Sequence, residues 1–207
     1  MSNPHAKPYL IGIAGPSGAG KSYLAEHLMR QLDAVHFHLD SYYRELTHLS
    51  LPQRAHFNFD SPEALEGDVL IRQARELARG KTIRKPVYDF TTHSRTAEVE
   101  IVEPQQYVIV EGLFALYWEE LRRLMGTKVY VDLGESACLE RRIERDMRER
   151  GRTRESVLEQ YRTTVVPMAR QFVHPTRNHA DIVVTGNDEI ANEVAAVLAH
   201  VRAGIAG

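Results

Sequence analysis

The densest chemistry in the chain lies in Gly15-Pro16-Ser17-Gly18-Ala19-Gly20-Lys21-Ser22. These residues satisfy G-x-x-x-x-G-K-[ST], in which the glycines let successive backbone N–H groups turn toward one centre and surround phosphate oxygens. An apolar run, Tyr9 to Ala14, precedes the loop, and Leu24, Leu28 and Leu32 recur at four-residue steps after it. That context predicts a strand, the loop and a helix over about 21–32, so that bound phosphates face a helix N-terminus. Lys21 then reaches the β- and γ-phosphates, and the Ser22 hydroxyl is placed to ligate Mg²⁺. A glycine-rich turn with an exposed lysine is the bland alternative, and it has no need of this flanking pattern. The expected ligand is a nucleoside triphosphate with its Mg²⁺.

A second carboxylate is needed near such a metal, and proteins with this loop supply it from the end of a neighbouring buried strand. Glu111 closes Tyr107-Val108-Ile109-Val110-Glu111, the most continuous apolar run, and Asp132 ends a comparable one. Glu111 is the first choice and Asp132 the second, because ligands of open α/β sheets bind at the carboxyl edge. No N-K-x-D guanine signature occurs, which points to a small-molecule kinase rather than a nucleotide switch. Asp40 closes a second strand, VHFHLD, expected beside the phosphate loop. Its carboxylate then faces the γ-phosphate and accepts a hydroxyl proton, or else caps the turn before Ser41-Tyr42-Tyr43. His36 and His38 have no metal-ligand spacing beyond a strand-like pair and are read as structural.

The elements that must position these residues follow from periodicity. Residues 41–59 read as loop and short helix. Ser61-Pro62 reads as N-cap and first position of a helix ending near Gly80. Thr82 to Phe90 and Ala97 to Val102 read as a β-hairpin that walls a pocket. A strand at 128–133, a charged helix over 136–151, a helix over 153–172, a short strand in ADIVVTG and a C-terminal helix with Val194 and Leu198 complete the pattern. Strands alternating with helices predict an α/β doubly wound parallel sheet with a hairpin insertion. In the charged helix, Leu139, Ile143 and Met147 form the expected apolar stripe, and Arg142 and Arg145 lie roughly 60° apart around the axis. The interleaved Glu140, Glu144, Asp146 and Glu149 read as solvated i,i+4 partners.

With 207 residues, 43% of them hydrophobic, the chain suits one domain. A net charge of −2 gives no pull toward nucleic acid or anionic lipid. Cys138 stands alone, which excludes an intrachain disulfide and a cysteine zinc site. No apolar run approaches the roughly 20 residues of a membrane span, and a cytoplasmic location is expected.

Seven segments occur in an order that resembles the uridine/cytidine kinase family, within the wider group that includes phosphoribulokinase. They are IGIAGPSGAGKS, LDSYYREL, FNFDSPEAL, KPVYDFTTHSR, VIVEGLFAL, ERRIERDMRERGR and EQYRTTVVPM. The resemblance runs from about Tyr9 to about Asn192 and implies a P-loop NTPase-type fold with the hairpin over about 82–102 and a helical lid over about 137–165. It implies transfer of the ATP γ-phosphate to the 5′-hydroxyl of a pyrimidine nucleoside, with Asp40 as the base acting on that hydroxyl. By the same resemblance Asp60 binds the ribose hydroxyls, Tyr43, Tyr88 and Phe90 contact the nucleoside, and His93 hydrogen-bonds the base edge. Arg142, Arg145, Arg150 and Arg152 belong to the lid over phosphates and sugar, and Gln160 adds a nucleoside contact. Asp188 is the candidate adenine contact, in a TGNDEIAN segment that departs from the family's proline-arginine-glycine turn. A homotetramer is the implied assembly. The competing readings are a kinase of another hydroxylated metabolite and a non-catalytic ATP-binding regulator.

Overall fold

The computed structural model describes residues 7–206. Strands β1 (Tyr9–Ala14), β2 (Ala34–His38), β5 (Tyr107–Glu111), β6 (Met125–Asp132) and β7 (Ile182–Thr185) form a parallel sheet in the order β2-β5-β1-β6-β7. A separate antiparallel pair consists of β3 (Ile83–Asp89) and β4 (Ser94–Val102). The helices are α1 (Lys21–Met29), α2 (Leu51–Ala55), α3 (Gly67–Leu77), α4 (Glu119–Arg122), α5 (Glu135–Arg150), α6 (Arg154–Gln160), α7 (Val166–Met168) and α8 (Ile190–Ala206). Among the described residues no helix is long and apolar enough to cross a membrane.

Side chains alternate across each strand, and both sheet faces are covered, which is why the central strands read as unbroken apolar runs. Ile11, Ile13, Ile109 and Val129 pack against Leu24 and Leu28 of α1 and Val197 and Val201 of α8. On the opposite face Leu10, Val108, Val110 and Tyr130 meet Leu70 and Leu77 of α3 together with Phe114 and Leu116. Ile83, Tyr88 and Val102 of the hairpin enter this second cluster, which fixes the hairpin to the main body.

Several expectations are corrected. β5 lies between β1 and β2, so the strand leading to Asp40 is not the neighbour of the phosphate-loop strand. That strand also ends at His38, and Asp40 sits in the 3₁₀ turn Leu39–Tyr42, whose buried Leu39 and Tyr42 draw the chain over the sheet edge. Ser61 accepts from the Glu63 N–H as expected of a cap, but it caps only the 3₁₀ turn Pro62–Ala64. The chain then extends through Leu65, which bridges to Tyr43, before α3 begins. The stretch 154–173 is helical throughout, with π-helical segments at Tyr161–Val165 and Ala169–Val173 around Pro167, whose missing N–H disrupts the regular ladder. In α5 Met147 is 48% exposed, and the buried face is formed by Cys138, Arg142, Ile143 and Asp146.

The register aligns Ile13, Glu111 and His38 side by side at the carboxyl edge. Gly112 follows immediately, and a Cβ there would meet Leu39 Cβ at 2.7 Å. This close approach holds the Asp40 turn against the end of β5. Gly112→Ala is expected to cost about 1–3 kcal/mol, as overpacking does, read as a lower urea midpoint, and an unchanged midpoint would show that the turn is free to move away.

Candidate active site

A cavity of about 890 Å³ opens at the carboxyl edge of the sheet. Its floor is the phosphate loop, in which Gly15 and Gly18 leave no room for a Cβ. Gly18 has φ +86, and a Cβ on it would meet the Cys138 carbonyl oxygen at 2.3 Å. Gly15 similarly abuts the Val131 carbonyl. Pro16 contributes its carbonyl, which accepts from Lys21 Nζ at 3.0 Å, while Ala19 and Gly20 lead into α1. Burial lowers the Lys21 pKa, and the charges of Glu111 and Asp40 oppose that shift.

Ser17, Lys21, Ser22, Asp40, Tyr43, Asp60, Tyr88, Phe90, His93, Glu111, Arg142, Arg145, Arg150, Arg152 and Gln160 all line this one cavity. Loop, sheet edge, hairpin and lid therefore converge from positions far apart in the chain. Asp132 and Asp188 do not. Asp132 pairs with Arg177 at 3.3 Å at the surface. Asp188 sits in an exposed turn, its N–H donating to the Thr185 carbonyl, because Gly186 seats the turn against the outside of the phosphate loop at Ala19.

Glu111 is 1% exposed, and its Oε2 accepts from Ser22 Oγ at 3.2 Å. The His38 Nε2 lies 3.0 Å from the same oxygen and 3.9 Å from Asp40 Oδ2, with His36 Nε2 at 3.6 Å from Glu111. Burial works against the Glu111 charge, yet the two imidazoles and Lys21 hold its carboxyl well below the usual range. For His38, burial opposes protonation, but Asp40 and Glu111 outweigh it and raise the imidazole to about 9. The reading of His38 as merely structural is thus corrected: it joins the two carboxylates that border the phosphate end. A hydroxyl and an ionised carboxylate meeting beside Lys21 are hard oxygen donors of the kind Mg²⁺ takes along with phosphate and water. The donor set fits that ion.

Asp40 makes no capping hydrogen bond through its carboxylate among the described residues. The turn is closed instead by its main-chain carbonyl, which accepts from the Tyr43 N–H. Asp60 is 6% exposed and lies 3.8 Å from Arg142. Burial raises its pKa against the pull of Arg142.

Around Asp60 the aromatics interlock. Tyr43 contacts Phe59 and Tyr88 with ring centroids 5.2 and 5.4 Å apart, and Tyr88 contacts Phe90 at 5.2 Å. His93, at φ +49 in the hairpin turn, stacks on Phe59 with 22° between planes. Burial and then the charges of Arg150 and Arg152 lower the His93 pKa. Phe59 escaped the sequence reading although it precedes Asp60 in FNFD, since Phe57 and Phe59 in a loop carry no periodicity that assigns them to a wall. The lid closes from α5: Arg142 donates to Ser17 Oγ at 2.7 Å and to Gln160 Oε1 at 3.0 Å, and Arg152 also donates to Gln160. Arg150 lies 5.2 Å over the Phe90 ring.

A parallel sheet, a glycine loop feeding a helix, and an arginine lid over the carboxyl edge define a P-loop kinase. The family model for the "Phosphoribulokinase / Uridine kinase family" matches residues 10–191, and the chain belongs to that family. It is 41% identical to a uridine kinase of Ligilactobacillus salivarius over 94% of this chain and 92% of the relative. To a uridine kinase of Brevibacillus brevis it is 45% identical, over 86% and 84% respectively. The fold also matches phosphoribulokinase from Rhodobacter spheroides, with a TM-score of 0.63 at 20% identity, covering 86% of this chain and 70% of that one.

The cradle gives a direct expectation. Forcing a Cβ onto Gly18 in the left-handed region costs on the order of 1–3 kcal/mol, so Gly18→Ala should lower ATP affinity roughly 10- to 100-fold. Equilibrium titration with ATP checks this, and wild-type affinity would show that the loop does not hold the phosphates.

Proposed function

We propose that the chain is a uridine/cytidine kinase, transferring the γ-phosphate of ATP to the 5′-hydroxyl of a pyrimidine nucleoside. The observation that carries this reading is the pocket of Tyr43, Phe59, Tyr88, Phe90 and His93, which opens toward Asp60 and Asp40 in the same cavity as Lys21. An aromatic wall at one part of the cavity, a carboxylate able to accept from two vicinal hydroxyls, and a second carboxylate near Lys21 suit base, ribose and 5′-hydroxyl in turn. The names of the relatives agree with it. A kinase of a sugar phosphate has no use for the aromatic slot.

In this reading Asp40 orients the 5′-hydroxyl and receives its proton, while Asp60 holds the 2′- and 3′-hydroxyls. Lys21, Arg145 and Arg150 neutralise the charge that spreads over the transferring phosphoryl oxygens, and Arg142, Arg152 and Gln160 close over the nucleoside. Ser22 and Glu111 would hold Mg²⁺, which would supply neutralisation of phosphate charge. His93, kept neutral by its lowered pKa, has one donor and one acceptor nitrogen, and tautomer exchange lets it meet either the uracil or the cytosine edge. In this reading the described residues act as one kinase domain on small molecules rather than nucleic acid, in cytoplasmic pyrimidine salvage and as a homotetramer.

The test is ADP release with Mg·ATP and uridine, cytidine, adenosine or guanosine. Uridine and cytidine should be used within about 10³-fold of each other in kcat/KM, and the purines rejected, because a second ring would collide with packed aromatics. Adenosine turnover equal to that of uridine would defeat the reading. Asp40→Asn preserves size while removing the base, so kcat should fall about 10²- to 10⁴-fold with nucleoside affinity little changed. A raised KM with intact kcat would make Asp40 a binding residue instead.

A further inference from the structure

Asp146 is the one acid of α5 that is wholly buried, at 0% exposure, and it lies at the centre of the lid arginines rather than in solvent. Its Oδ1 accepts from Arg145 Nε at 2.9 Å and Nη2 at 2.8 Å, with Arg150 Nη1 at 3.6 Å. Its Oδ2 lies 3.5 Å from Arg142 Nε and 3.9 Å from Arg152 Nη1. The main chain of the same residue acts in parallel. The Asp146 carbonyl accepts from the N–H of Gly151, whose φ of +61 ends the helix, and from Arg152 N–H at 3.2 Å. This reversal turns Arg152 back toward the carboxylate, while Arg150, still in the helix, reaches it from the i+4 position.

Four guanidiniums brought this close repel one another, and each would relax outward unless an anion lay among them. A buried carboxylate is itself costly unless its charge is compensated by hydrogen-bonded partners. The result is an array of cations gathered around one anion, in which Arg145 is fixed in direction by two hydrogen bonds while Arg142, Arg150 and Arg152 are held by charge. Oδ2 and Arg142 Nε have no hydrogen-bond partner among the described residues. Arg142 extends that array to Ser17 of the phosphate loop and toward Asp60. We infer that Asp146 is a positioning residue for phosphoryl transfer, a buried anionic hub that holds Arg145 and Arg150 toward the γ-phosphate end of the cavity and Arg142 and Arg152 beside them over the acceptor. The inference rests on the reading of this cavity as the transfer site, and it extends that reading to a residue with no contact to substrate.

Charge and geometry give opposite signs for Asp146→Asn. Removing an anion beside the phosphate site should tighten ATP binding if Asp146 only dilutes the positive field. Loss of aim should weaken it. On the full chain with Mg²⁺, Asp146→Asn is expected to bind ATP about tenfold more weakly while ADP affinity, which lacks the γ-phosphate contacts, stays within about threefold. With uridine as acceptor kcat should fall about 10²-fold, the scale of a misplaced catalytic group. Because the part of the Asp146 effect that runs through Arg145 is counted only once, the double variant with Arg145→Ala should lose less than the product of the two single losses.

Unchanged or tighter ATP binding, an equal loss for ADP, or multiplicative losses in the double variant would overturn the inference. If Asp146→Asn does not fold, Asp146→Glu takes its place, since it keeps the charge but displaces the oxygen that meets the Arg145 Nε and Nη2 pair. The same selective loss of ATP affinity is then expected, and wild-type affinity overturns the inference. Wild-type protein that binds ATP but fails to phosphorylate uridine would count against the acceptor assignment alone, and the ATP and ADP titrations would still decide the role of Asp146.

Discussion

The site depends on a charge placed where a sheet would rather have none. Glu111 ends a strand whose preceding residues are apolar and buried, and parallel pairing on both sides leaves it with Ile13 on one flank and His38 on the other. An ionised carboxylate in that position is tolerated only if every lone pair finds a partner. Ser22 Oγ and His38 Nε2 meet its Oε2 and the Lys21 charge lies nearby, so the start of α1 and the end of β2 converge on it. Once those partners are drawn in, the phosphate loop, the end of β2 and the Asp40 turn have little freedom left relative to one another.

Much of this was legible in the sequence because it is local. The phosphate loop is contiguous, its flanking strand and helix are marked by uninterrupted apolar residues and a four-residue leucine repeat, and the hairpin shows two β-rich runs around a polar turn. The order of strands was not legible. Insertion of β5 between β1 and β2 is decided by which faces α1, α3 and α8 can cover, and no short-range pattern encodes that choice. The cap at Ser61 was read correctly and the helix behind it was not, since the extended Leu65 is held by a bridge to Tyr43, more than twenty positions earlier.

Among the charges, identical spacing concealed different fates. Glu144 and Asp146 both have arginines four residues away, yet Glu144 is exposed and Asp146 is fully buried. The helix face that carries Cys138, Arg142 and Asp146 is turned inward by contacts with Ser17 and Gln160, which are distant in sequence. Met147, an apolar residue one step further on, is displaced outward as a consequence. Hydrophobic periodicity assigns the inward face to the apolar stripe, and here the ionic hub occupies part of it instead. His38 illustrates the same point in a strand, where only the neighbour across the register turns an ordinary histidine into a partner of two carboxylates.

The lid and the aromatic slot are also parts of one mechanical unit. Arg150 rests on Phe90 of the hairpin, and Gln160 is held jointly by Arg142 and Arg152. Arg142 in turn reaches the phosphate loop through Ser17 and the vicinity of Asp60. A movement of α5 therefore cannot change the phosphate clamp without also changing the walls of the slot. Exclusion of water from the transfer step requires that the clamp close when the acceptor is in place. The guanidiniums of α5 touch both the phosphate loop, at Ser17, and the aromatic wall, at Phe90, so the two conditions meet in side chains of one helix.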